Sequence, residues 1–268
     1  MKNLIAGGAF FFCGLAVAGD SGAWSGPYVG LFAADTRLVV QSDATAQRGP
    51  LGVGFGVTEI SDAMVGSMTY TDTARAHRVK PGVYAGYLWN QGALVYGIEA
   101  DLQDGAKSRS SGLNTTQLER FPANQQQYEY DQAFNLHYLA TLRGRFGYAQ
   151  DNWLLYLTAG VAHAKLSTEL NSYAPLLGPT APPPAFLSST TSSSANRTGW
   201  VAGLGGEFAV APQLRIRAEY LYYDLGDTQV DSHSRVLYNT GALFSSANGR
   251  VKSEWTSSSA RIGLTYTF

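Results

Sequence analysis

The chain has 268 residues, with 19 basic side chains against 20 acidic. Charged residues make up 15%, where an ordinary soluble domain carries about 25%. So even a balance offers nothing to hold nucleic acid, and one cysteine cannot build a disulfide framework.

The first stretch, "MKNLIAGGAFFFCGLAVAGD", joins a basic start at Lys2 to an apolar run and the small residues Ala16 and Ala18. That order is a secretory signal read as 1–18 and cleaved after Ala18, with 19–268 as the exported domain. Phe12 stands before Cys13 where lipidation wants a small residue, so the cysteine leaves with the signal. Without Lys2 the balance is 18 basic to 20 acidic. No later stretch approaches the roughly 20 apolar residues of a membrane helix. If the chain meets a membrane, it does so as strands.

Eight alternating runs follow, rich in aromatic and β-branched residues. They are "GPYVGLFAADTRLVV" from Gly26, "HRVKPGVYAGYLWN" from His77, "ALVYGIEADLQ" from Ala93 and "FNLHYLATLRGRFGYA" from Phe134. Then come "WLLYLTAGVAHAKLST" from Trp153, "RTGWVAGLGGEFAVA" from Arg197, "LRIRAEYLYYDLG" from Leu214 and "SEWTSSSARIGLTYTF" from Ser253. Most exceed the soluble mode of about 5–6 residues and suit a tilted membrane strand of about 9–11.

Short and long connections alternate. Asn90-Gln91-Gly92, Gln150-Asp151-Asn152 and Pro212-Gln213 are tight turns, whereas about 41–76, 104–133, 168–196 and 226–252 are long. All tight corners therefore share one end of the sheet. Short periplasmic turns opposite long external loops are the pattern of an outer-membrane barrel. The segment "APLLGPTAPPPAFLSSTTSSS" reads as a mobile surface segment unable to form a helix or a packed strand pair. "GPLGVGFGVTEISDAMVGSMTYT" is more apolar and reads as an extension of its hairpin.

Each run has one apolar side and one of glycine, hydroxyls and charges. Leu214, Ile216, Ala218, Tyr220 and Tyr222 oppose Arg215, Arg217, Glu219, Leu221 and Tyr223. Leu136, Tyr138, Ala140 and Leu142 oppose His137, Leu139, Thr141, Arg143 and Arg145. A lipocalin-like soluble barrel would turn the apolar side inward. Three features favour the reverse: the strand charges are Arg, Glu and Asp with few lysines, glycines interleave with them, and Trp89, Tyr148, Trp153 and Tyr266 sit near strand ends as a girdle. The expected lumen then gathers Glu99, Asp101, Glu207 and Glu219 with Arg143, Arg145, Arg215, Arg217 and Arg261, which must pair to offset their burial.

The segments "GVYAGYLWNQGALVYGIEADLQ", "LRGRFGYAQDNWLLYLTAGVA", "GWVAGLGGEFAVAPQLRIRAEYLYYDLGD" and "ARIGLTYTF" together resemble the outer-membrane β-barrel family. The resemblance is greatest to its porin-family, immunogenic branch, related to the OmpA-like transmembrane barrel. It implies an eight-stranded antiparallel up-and-down barrel with both termini in the periplasm. It also implies that Phe268, with Tyr266 and Leu264, is read by the barrel-assembly machinery.

Catalytic and cofactor patterns are missing from the sequence. His77, His137, His163 and His233 lack ligand spacing, no serine pairs with a histidine at a recognisable interval, and "GLGGEF" reads as strand glycine. The expectation is a non-enzymatic outer-membrane protein without cofactor, contacting lipid, the assembly machinery, and host or environmental ligands through its loops. The alternatives are a small-solute channel and haem binding at His233 or Tyr238.

Overall fold

The computed structural model describes residues 24–51, 57–119, 122–177, 188–237 and 243–268. The signal-peptide expectation, with Ala16 and Ala18, lies outside them, as do Tyr238 and the proline run of the third external connection. In chain order come β1 (Gly26–Arg48), α1 (Val57–Ser67), β2 (Tyr70–Gln91), β3 (Leu94–Asp104), β4 (Lys107–Gln117) and β5 (Gln125–Gln150). They are followed by β6 (Trp153–Tyr173), a two-residue β7 (Leu176–Leu177), β8 (Ser188–Ala211), β9 (Leu214–Leu237) and β10 (Leu243–Thr267). Every pairing is antiparallel, and β1 pairs with β10 from Tyr28↔Thr267 to Arg48↔Ala247. The sheet thus closes into a ring of 8 strands, with β3 and β4 forming one interrupted strand along β5. No described helix is long and apolar enough to cross a membrane; the strands do so.

Alternation sets the two sides. Along β9, Arg215, Arg217, Glu219, Leu221 and Tyr223 are buried, while Leu214, Ile216, Tyr220 and Tyr222 are exposed. The exposed belt continues through Val83, Ile98, Phe146, Leu157, Leu204 and Leu264. Large apolar side chains facing outward all round the ring need hydrocarbon as their solvent, and closing the ring leaves no unpaired backbone in it.

The strands run further than the sequence suggests. β5 has 26 residues and β10 has 25. At about 3.3 Å per residue and a tilt of about 40°, that spans roughly 60 Å, more than twice an apolar band of about 25 Å. Much of what read as external loop is therefore barrel wall. Ser188–Ser194, expected to be mobile, pairs with Ser167–Tyr173 of β6. The first long connection extends its hairpin as far as Ala44↔Tyr70, as expected, but between the strands it also forms α1. On this helix Met64 is fully buried and Ala63 nearly so, as is Met68 just past its end. They pack with Leu118, Tyr128, Leu170, Ala247 and Val251 across the outer mouth.

β5 departs from the expected facing. A register shift between Leu136 and Leu139 turns Leu136 inward and His137 outward, reversing both assignments. The partner strand breaks at the same height: Gly105 N donates to His137 O (3.2 Å) and Leu136 N to Ala106 O (2.8 Å). A Cβ on Gly105 would stand 1.7 Å from Leu136 O, so only glycine fits this paired bulge. Above it, β2 and β4 lie side by side with no ladder joining them; the β2–β3 ladder ends at Gly82↔Gln103. The ladder ends at the outer edge of the apolar belt, one residue beyond exposed Val83 on β2.

Candidate functional site

Inside the membrane half, alternate positions from five elements converge. Glu99 and Asp101 enter from β3, Arg143 and Arg145 from β5, Glu207 from β8, Arg215, Arg217 and Glu219 from β9, and Arg261 from β10. All nine are buried. Register places opposite charges directly across from each other as Glu99↔Arg143, Glu207↔Arg217 and Glu219↔Arg261.

The pairs interlock. Arg143 reaches Glu99 (2.5 Å), Asp101 (2.9 Å) and Glu219 (2.8 Å). Arg145 reaches Glu207 (2.5 Å) and Glu99 (3.3 Å), and Arg217 reaches Glu99 at 2.6 Å. Arg261 holds Asp101 at 3.2 Å, and Arg215 lies 3.6 Å from Glu207. Isolated charges here would be prohibitive; shared partners offset the desolvation of each.

Aromatic rings complete the packing. The Arg145 guanidinium lies 3.8 Å from the Tyr156 ring centre, Arg217 4.3 Å from Tyr84, Arg261 4.2 Å from Phe32 and Arg215 4.5 Å from Trp24. Tyr28 donates to Glu99 at 2.7 Å and accepts from Arg145 at 3.0 Å. The sequence reading did not name these rings as partners. Their signal was the inward glycines: a Cβ on Gly30 would stand 2.2 Å from the Tyr84 ring, and one on Gly86 2.4 Å from the Tyr28 hydroxyl.

Apolar layers enclose the ionic one. Towards the periplasm, Trp24, Leu88, Val95 and Leu154 pack together, with Trp24 Nε1 donating to Asp151 O at the turn (3.2 Å). Outward lie Leu38, Phe134, Leu139, Leu166, Tyr223 and Trp255, then the layer beneath α1. In that outermost layer, beyond the membrane, burial pushes the Tyr70, Tyr128 and Tyr130 phenols above their ordinary range. Among the described residues no group of three or more His, Cys, Asp or Glu could hold a metal ion. The histidines are dispersed: His77 meets Asp35 (2.7 Å), His137 Ser167 (2.8 Å), His163 Thr198 (2.9 Å) and His233 Asn248 (2.8 Å).

The outside of the ring joins this interior to a family. A family model described as "Outer membrane protein beta-barrel domain" matches residues 6–268. The chain belongs to the outer-membrane β-barrel family. The 31 kDa outer-membrane immunogenic protein of Brucella melitensis is 28% identical over 189 residues, covering 70% of this chain and 65% of that protein. This chain therefore aligns with slightly less than two thirds of that relative's length. The 25 kDa outer-membrane immunogenic protein of Brucella abortus is 25% identical over 247 residues, covering 92% and 80%. Among solved structures, OprG from Pseudomonas aeruginosa aligns over 91% of this chain and 97% of its own, at 12% identity and a TM-score of 0.43.

On this outer-membrane barrel, Trp89, Tyr148, Trp153 and Tyr266 all point outward at the tight-turn end. Trp89 stacks with Tyr96 at 5.8 Å and Tyr148 lies 6.3 Å from Trp153. A second aromatic group, not singled out from the sequence, lies higher, where Trp200 packs 5.5 Å from Tyr222 beside exposed Tyr220. Leu264 and Tyr266 face outward on β10, as does Phe268 just past its end, and Phe268 N donates to Pro27 O (3.2 Å).

Proposed function

We propose that this outer-membrane barrel is a structural envelope protein that displays its outer half to host or environmental ligands, without enzymatic activity. The observation that carries the reading is the interlocked ionic layer, whose side chains are 0–3% exposed between two apolar layers. A barrel of eight strands is just wide enough for side chains to fill. A filled barrel is a rigid membrane anchor, and its surface investment lies in a wall reaching well beyond the lipid. Two relatives named as immunogenic outer-membrane proteins fit a surface-exposed role. Outward Leu264, Tyr266 and Phe268 serve as the strand-end signal to the assembly machinery.

A small-solute channel is the competing reading, and planar-bilayer recording separates the two. A structural barrel gives no stable ohmic steps, and its deletion sensitises cells to detergents. Reproducible steps from the purified protein, with an intact envelope in the deletion strain, would reverse the assignment.

A further inference from the structure

One depression on the outer wall is absorbed by neither the lumen nor the cap. It measures about 190 Å³ and opens sideways between β1, β10 and β9. Its floor is made of short hydroxyl side chains, Thr256 and Ser258, and its walls are Arg37 with Val39 on one side and Tyr220 with Tyr222 on the other. Register explains the hollow: Arg37 sits across from Ser258, and Ser258 across from Tyr222, so a small residue stands between two large ones.

Its height follows from the chain. From Phe268 to Ser258 is about ten steps of roughly 3.3 Å, and a tilt of about 40° makes this about 25 Å, the full apolar band. The hollow therefore opens at the outer edge of the lipid, level with the outer aromatic group. Acyl chains end there and headgroups begin.

Its charge is unspent. Arg37 is exposed, and among the described residues no carboxylate lies within ion-pairing distance of it. Asp35, two residues below on the same face, is engaged by His77 (2.7 Å). Asp224, opposite Thr256, accepts from Gly226 N (3.0 Å), and Glu254 is held by Lys252 (3.3 Å). A free guanidinium, two aliphatic hydroxyls and two tyrosines around a hollow of this size suit a phosphate with the adjoining edge of a sugar ring.

We propose that this hollow binds the phosphorylated sugar headgroup of an outer-leaflet glycolipid, with Arg37 on the phosphate and Thr256, Ser258 and Tyr222 on the sugar. The site makes the barrel a selective neighbour of one lipid class and fixes its depth in the outer leaflet. It does not depend on whether the lumen conducts.

The test uses the folded full-length barrel in detergent micelles and native mass spectrometry, with bis-phosphorylated lipid A as the probe. Three proteins are compared: wild type, Arg37→Glu and Ser258→Leu, the last filling the hollow without touching charge. Retained folding is verified by heat-modified gel migration; should Arg37→Glu not fold, Ser258→Leu carries the comparison. The expected result is lipid retention by wild type, weakened about tenfold or more in each variant. Dephosphorylated lipid A should bind wild type with a similar deficit, and millimolar inorganic phosphate should not displace the lipid. Equal retention by wild type and variants, or indifference to the phosphates, overturns the site. Displacement by inorganic phosphate alone overturns its assignment to a lipid.

Discussion

Replacing Arg143 with leucine separates pairing from net charge as the source of the lumen's stability. The cluster holds five guanidiniums and four carboxylates, all buried, so Arg143→Leu makes it formally neutral. If net charge governed, the variant would be at least as stable as wild type. Pairing predicts the opposite. Glu99, Asp101 and Glu219 each lose a contact of 2.5–2.9 Å. Breaking a buried pair from one side costs about 3–5 kcal/mol. Here each carboxylate keeps another guanidinium: Glu99 has Arg217 at 2.6 Å, Asp101 has Arg261 at 3.2 Å and Glu219 has Arg217 at 3.7 Å. That places the cost at the lower end, about 3 kcal/mol or roughly a hundredfold in the folding equilibrium. Arg215→Leu removes a guanidinium at the periplasmic rim, whose ion pair with Glu207 is longer at 3.6 Å, and should cost less, about 1 kcal/mol. Urea unfolding in detergent micelles, followed by gel migration and tryptophan emission, measures both. Identical midpoints for Arg143→Leu and wild type would refute the pairing argument.

Gly105→Val should destabilise the barrel by about 2 kcal/mol or more, since its Cβ would collide with the Leu136 backbone, and the same unfolding assay reads it. Met64→Glu places a carboxylate in a fully buried site and should free α1. Limited proteolysis should then cut near 57–67 while the gel shift of the membrane half persists. Removing Phe268 should lower outer-membrane yield in cells but leave refolding into detergent unchanged. Equal losses in both would make it a stability residue.

The membrane half was legible because its two solvents differ so sharply. Lipid outside and an ionic filling inside force strict alternation, so the facing of β9 and the nine charged positions could be read from spacing. The outer half has water on one side and hydroxyls on much of the other. In "SSTTSSSANR" of β8 and "KSRSSGLNTTQ" of β4 the hydropathy therefore barely alternates, and strands passed for loops. The shift at Leu136 was hidden because a bulge exchanges the faces without changing composition. Rings such as Tyr84 and Tyr156 were hidden because an inward tyrosine looks like an outward one until its facing glycine is known.

The inside-out arrangement can be tested most directly by tryptophan quenching with lipids brominated in the acyl chain. Single-tryptophan variants retaining Trp153 or Trp200, both outward, should be strongly quenched in such bilayers. One retaining Trp24, buried inside the ring at the level of Trp153 with its Nε1 donating to Asp151 O (3.2 Å), should keep its emission. Strong quenching of Trp24 with Trp153 and Trp200 untouched would contradict the whole account.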